Sequence, residues 1–271
     1  MKLSNIFSRR NRILLRELVG TDFKLRYQGS ALGYMWSILK PLFMFGVLYL
    51  VFAVILNIGK GIEHYPVYLL AGVILWNFFA ESTNQGKNAI VSRGDLIRKI
   101  SFPRYIIVIS GTISALINLF INLAVLAVFA IINGVEFTPL IFLAPLILIE
   151  VYILSLSVAF FLAAANVKLR DIGHIWEIIM QAAFYGTPII YPLNQVVEKS
   201  EFLAKFLLIN PMAQIIQDFR YLTVNSKQTL TVFNTFDSVI YQAVPFILVI
   251  LIATGAGLFF KARSKTFAED L

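Results

Sequence analysis

The sequence predicts an all-α integral membrane protein with six transmembrane helices and both termini in the cytoplasm. Three observations support this reading. First, 59% of the 271 residues are hydrophobic against 14% charged, and the mean hydropathy is +0.79, so lipid is the solvent for most of the chain. Second, six apolar stretches, residues 37–58, 66–82, 105–133, 140–167, 175–191 and 239–260, reach the roughly 17–25 helical residues that cross a hydrocarbon core. Third, 18 of the 23 Lys and Arg residues fall in alternate gaps between those stretches. Lys2, Arg9, Arg10, Arg12, Arg16, Lys24, Arg26 and Lys40 precede or open the first, and Lys87, Arg93, Arg98, Lys99 and Arg104 lie between the second and third. Lys168 and Arg170 follow the fourth, and Lys261, Arg263 and Lys265 close the last. Lys and Arg resist translocation, so these gaps are assigned to the cytoplasm, and an even number of spans returns the chain to the side where it began.

Composition also narrows the function. A net charge of +8 suggests nucleic acid in a soluble protein, but here the basic residues follow membrane sidedness and suit anionic headgroups, so no nucleic acid is expected. The absence of cysteine excludes disulfides, thiolate metal sites and cysteine nucleophiles. The first 36 residues are basic and lack an early apolar core, so the first span is expected to act as the insertion signal. Only helices suit these spans, because backbone polar groups find no water in lipid and the runs lack the alternation of a barrel strand.

Taken in order, residues 11–28 carry Leu14, Leu18 and Leu25 on one side of a helix, with Leu15, Val19 and Phe23 beside them and Arg16, Glu17, Lys24 and Gln28 elsewhere. This pattern predicts a helix lying in the headgroup layer or packed on a partner. Gly29 and Gly33 are a small-residue pair suited to close helix approach or to simple bundle packing. Between the second and third spans, Val91, Leu96, Ile97 and Ile100 alternate with Arg93, Asp95, Arg98 and Lys99. That segment reads either as a short amphipathic docking helix or as an ordinary basic loop. The fifth span ends in Gly186-Thr187-Pro188, where a helix bends or stops, which marks a gate or a plain terminator. The polar gap over residues 194–237 contains apolar pieces too short to span, at 202–209, 212–216 and 221–224. Asn210-Pro211 separates the first two, since a residue before proline leaves helix geometry, so short re-entrant or interfacial helices are expected. Gly186, Pro188, Asn210 and Pro211 are the candidate gate positions.

The sequence has no phosphate-binding glycine loop, no nucleophile elbow, no H-E-x-x-H and no acidic pair placed for a metal. Its two histidines, His64 and His174, are far apart in sequence. No catalytic residue, metal or cofactor is therefore expected on this chain, and uphill movement must draw on a partner or an ion gradient. Glu150 is the one acid near the middle of a span, suited to a hydrogen bond between helices or to proton coupling. Aromatic side chains stack on the C–H faces of sugar rings, so Tyr34, Trp36, Tyr49, Phe184, Tyr185 and Tyr191 are candidates to line a glycan path; packing and interfacial belts are the competing use.

Four segments carry a family resemblance: ELVGTDFKLRYQGSALGYMWSILKP at 17–41, FPRY at 102–105, NVKLRDIGHIWEIIMQAAFYGTPIIYP at 166–192 and INPMAQIIQDFRYL at 209–222. In this order, on a six-span frame, they resemble the membrane subunit of ABC-2 type polysaccharide exporters, which move O-antigen, teichoic acid, capsule or related lipid-linked glycans. The resemblance implies a bacterial cytoplasmic-membrane permease that works as a homodimer with two separate ABC ATPase chains, and ATP and magnesium bind those partners. It implies a coupling helix at 90–101, with Arg93, Asp95, Leu96, Ile97, Arg98, Lys99, Phe102, Pro103 and Arg104 as the coupling set. It also nominates spans one and five as the walls of the path. A dimer suits a glycan because six helices of about 10 Å diameter leave little room inside one bundle, whereas two facing bundles enclose a route. The alternatives are an ABC-2 exporter of small hydrophobic drugs or lipids, an ion-coupled carrier, and an intramembrane transferase, for which no acidic metal cluster is visible.

Overall fold

The computed structural model describes residues 8–100, 102–224 and 227–270, and among these no strand occurs. Helix α1 (Arg9–Tyr27) is followed by a turn and α2 (Trp36–Leu48), which continues as a π-helical segment over Tyr49–Ile55. Then come α3 (Tyr65–Ala89), the short α4 (Gly94–Lys99), α5 (Tyr105–Ile132), α6 (Ala144–Lys168) and α7 (Ile172–Gly186). Three helices follow, α8 (Leu193–Lys199), α9 (Glu201–Ile209) and α10 (Pro211–Thr223), then the single turn α11 (Val232–Thr235), α12 (Val239–Arg263) and the terminal turn α13 (Phe267–Asp270).

Four helical segments are long and apolar enough to cross a membrane: Gly33–Ile55, Tyr105–Ile132, Pro139–Lys168 and Val239–Arg263. The predicted second and fifth stretches fall outside this set for different reasons. Helix α3 has the length, but Asn77, Glu81, Asn84, Gln85, Lys87 and Asn88 make its later half polar. Helix α7 has 15 residues, about 22 Å of rise against a core of roughly 30 Å. It stops because Thr187, which precedes Pro188, is extended at φ −108°, ψ 138°.

Helix α3 is the axis of the bundle. It is buried continuously from Val67 to Trp76 and packs between α5 and α6, while α12 lies on the far side of α6 and α1 lies along α5. On α1, Leu14, Leu15, Leu18 and Val19 are half-buried and Arg12, Arg16, Glu17 and Lys24 are exposed. The side chains of Phe23 and Leu25 fall outside the described set. Gly29 and Gly33 stand in the α1–α2 turn, not in a helix contact. Their φ values of 77° and 49° are left-handed and nothing approaches either one, so backbone conformation, not close helix packing, is the reason for glycine there.

Gly86 does mark a close contact. A Cβ at that position would lie 2.3 Å from the Cβ and 2.7 Å from the Cα of Ala159, so α3 and α6 meet almost backbone to backbone. Gly86→Val is expected to lower stability by about 1–3 kcal/mol, as other overpacked cores do. Gly255→Val on the exposed side of α12, where nothing lies within 4 Å, should change little by comparison. Thermal unfolding of both variants in one detergent checks the pair.

Candidate translocation site

The sequence-predicted gate positions form a connected unit at the Tyr65 end of α3. Asn210 is extended and caps α10, its Oδ1 accepting from the Met212 amide at 3.0 Å, as expected before Pro211. Its Nδ2 donates to Thr187 Oγ1 at 3.3 Å, so the two proline motifs meet although Thr187 and Asn210 are 23 positions apart in sequence. Gly186 is exposed, while Thr187 and Pro188 are buried.

Arg220 holds this unit together. Its guanidinium donates to the carbonyls of Tyr68 at 2.9 Å, Pro188 at 2.6 Å and Ile189 at 2.5 Å, and to Gln217 Oε1 at 3.0 Å, while lying 3.6 Å from the centroid of the Tyr68 ring. Among the described residues no carboxylate pairs with it; carbonyl dipoles and an aromatic face compensate the charge of a fully buried cation. Gly72 makes the room, since a Cβ there would sit 2.3 Å from Arg220 Nη2. Around this centre, the Tyr68 hydroxyl donates to Gln217 Oε1 at 3.1 Å and the Tyr65 hydroxyl to the Ile190 carbonyl at 2.6 Å.

Deeper in, Gln214 Nε2 donates to Asp218 Oδ2 at 2.7 Å and to Glu150 Oε2 at 3.4 Å, which gives Glu150 the interhelix hydrogen bond that its position suggested. Burial pushes the Asp218 carboxyl up to about 6. Gln214, Gln217, Asp218 and Arg220 all lie inside the fold and had no part in the sequence-level site. Polar residues between 216 and 221 read as a break between two apolar pieces, whereas both pieces belong to one helix, α10, that turns its polar side inward. The available signal was the i, i+3, i+4 spacing of Gln214, Gln217 and Asp218.

The aromatic candidates divide between the two ends of the bundle. Phe184 packs edge-on against Trp76 at 5.9 Å and against Tyr185 at 5.3 Å, and the Tyr191 hydroxyl donates to the Tyr185 carbonyl at 3.1 Å. Tyr34 and Trp36 are exposed at the start of α2, toward the Ala89 end of α3. Tyr49 is partly buried against the core and lies 5.8 Å from the ring of Phe45.

At the Ala89 end, the coupling set separates into residues that brace and residues that face outward. Ile97 is buried with Ile90, Val108, Phe260 and Phe267, and Leu96 is half-buried. Arg93 pairs with Asp22 of α1 and donates to Ser110 Oγ, and Arg104 donates to the Ser264 carbonyl beyond α12. Phe102 packs on the same cluster and Pro103 is half-buried; Ser101 lies outside the described residues. Asp95, Arg98 and Lys99 are exposed, the acid in the first turn of α4 and the bases in its last, as the helix dipole favours. Among the described residues no group of three His, Asp or Glu comes together to hold a metal.

A helical bundle with four segments able to cross a membrane, a set of short helices folded against one end and an exposed charged helix at the other fit a membrane transport subunit. The chain belongs to the ABC-2 type transporter family, which it matches over residues 13–224. It is similar to RfbA of Myxococcus xanthus, named as an O-antigen export system permease protein, at 28% identity over 258 residues and 95% of both chains. A Klebsiella pneumoniae protein of the same name is 29% identical over 261 residues, again 95% of both chains, and a second from that organism is 27% identical over 214 residues.

Proposed function

We propose that this chain is the permease subunit of an ATP-driven exporter that moves lipid-linked polysaccharide across the bacterial cytoplasmic membrane. The observation that carries the reading is similarity over 95% of the chain to relatives named for O-antigen export. In this reading α3 and α7, the latter extended through the turn at Thr187–Tyr191, complete six spans, both termini are cytoplasmic, and α8 to α10 form a re-entrant cap on the outer side. A homodimer and two ABC ATPase chains, which bind ATP and magnesium, complete the machine. Support for the dimer comes from α7, of which only Met180 is buried, and from α2 with its π-helical continuation, which expose Phe43, Met44, Val47 and Leu50. Two such faces opposed across a twofold axis bury surface that one copy leaves open. In this reading the exposed Asp95, Arg98 and Lys99 receive the ATPase.

Reconstitution tests the assignment. Vesicles holding this chain and its ATPase are expected to translocate lipid-linked glycan only when ATP is supplied, and vesicles holding the chain alone should be inert. Vectorial movement without the ATPase would overturn the proposal. Efflux of small lipids or dyes with no glycan movement would replace it by the hydrophobic-exporter reading.

A further inference from the structure

A cleft of about 720 Å³ opens between α2, α3 and α5, bounded toward the Ala89 end by the Asp22–Arg93 pair. Helix α7 has no part in its walls. Its volume lies within the range of small-molecule sites. Its lining is unusual for a membrane bundle. Asn77, Glu81, Asn84, Gln85 and Asn88 follow one another at i, i+4, i+7, i+8 and i+11 along a single face of α3, a stripe about 16 Å long.

Part of this polarity satisfies itself. Glu81 Oε1 accepts from Gln85 Nε2 at 3.0 Å and from Asn118 Nδ2 at 2.9 Å, and Asn122 Nδ2 donates to the Ser37 and Asn118 carbonyls. The remainder does not. Among the described residues Asn77, Asn84 and Asn88 make no side-chain hydrogen bond, and Asn118, only 6% exposed, has its Oδ1 without a partner. Amides left unused in a cleft cost free energy unless something polar, water or ligand, meets them.

We propose that this cleft binds a saccharide within each subunit, apart from the path between the two copies. The inference rests on the exporter reading and adds a discrete sugar site to it. The chemistry of the walls selects the ligand. Amides both donate and accept, which matches hydroxyl groups one for one. Among the described lining residues two cations, Lys40 and Arg93, stand against two acids, Asp22 and Glu81, so these four side chains offer no net charge to retain a phosphate. Trp36, 42% exposed, supplies flat apolar surface for the C–H face of a sugar ring.

The chain contains no cysteine, so a single introduced thiol reports cleanly. Asn84→Cys places it in the cleft, and Glu198→Cys, at an exposed position of α8, serves as the control. Each variant, assembled with its ATPase in lipid vesicles, is labelled with a water-soluble maleimide. The probes are the oligosaccharide released from the lipid-linked glycan, the intact glycan, carrier lipid phosphate without sugar, and phospholipid alone. The oligosaccharide is expected to slow labelling at position 84 about fivefold or more, the scale of one or two hydrogen bonds, and to leave position 198 unchanged. Protection by the intact glycan alone, with the sugar-free carrier inactive, assigns the site to sugar delivered on its lipid. Unchanged labelling with every probe, or protection by the sugar-free lipids, overturns the proposal. Glycan export by the same vesicles without protection at position 84 sinks the cleft site and spares the exporter reading; wild-type vesicles that move no glycan sink the reading beneath it.

Discussion

Arg220→Ala is expected to lower the stability of the folded chain by about 2–5 kcal/mol, a large fraction of the 5–15 kcal/mol that usually separates folded from unfolded protein. Two effects oppose each other. Removing the guanidinium recovers the desolvation of a fully buried cation, worth several kcal/mol. Against that, the carbonyls of Tyr68, Pro188 and Ile189 and Gln217 Oε1 lose a donor, and an unsatisfied buried acceptor costs about 1–3 kcal/mol. The several acceptors outweigh the one charge, and the cavity left by the side chain adds to the loss. Arg220→Lys should fall between wild type and alanine, because one ammonium cannot reproduce a planar fork that reaches three carbonyls and lies on the Tyr68 ring. The check is the melting temperature of the detergent-purified variants. A melting temperature for Arg220→Ala within a degree or two of wild type would show that the guanidinium holds nothing together.

Arg98→Glu combined with Lys99→Glu is expected to abolish export while leaving the fold intact. Both side chains are exposed and make no ion pair among the described residues, so reversal removes no internal contact. Helix α4 beneath them is firmly seated. Ile97 packs into the cluster of Ile90, Val108 and Phe267, and Arg93 and Arg104 tie the flanking chain to α1 and to the end of α12. A push on α4 is therefore passed to α1, α5 and α12, not absorbed by bending. At the proposed ATPase contact four units of charge difference change association by orders of magnitude, since like-charge juxtaposition costs several kcal/mol. Co-purification with the ATPase and surface glycan display are the readouts; wild-type values for both would remove α4 from the coupling role.

The helical class and the long apolar spans were readable in the sequence because hydropathy over some 20 residues depends on composition alone. The predicted stretch 105–133 is helix over Tyr105–Ile132, and 239–260 lies within Val239–Arg263. Breaks at Pro188 and Pro211 were readable too, since proline restricts the residue before it whatever surrounds it. What stayed hidden depends on pairing in space. Arg220 reads as a solvated charge in a polar gap, and only the approach of Tyr68, Gly72 and the 188–189 turn makes it a core residue. The Asn stripe on α3 is visible once α3 is known to continue to Ala89, but the apolar stretch ends at residue 82, which cuts the pattern in half. Likewise, the π-helical turn of Tyr49–Ile55 has no mark in a run of uniformly apolar side chains.

The position of α7 constrains how the subunit can move. Near its beginning, Lys87 of α3 reaches the Gly173 carbonyl at 3.3 Å and Glu177 at 3.0 Å; past its end, the carbonyls of Pro188 and Ile189 are gripped by the guanidinium that also holds Tyr68 of α3. Both anchorages thus lead to the same neighbour. A strut fastened twice to one post cannot swing by itself, so any displacement of α7 carries the central helix, with its striped amide face, along with it.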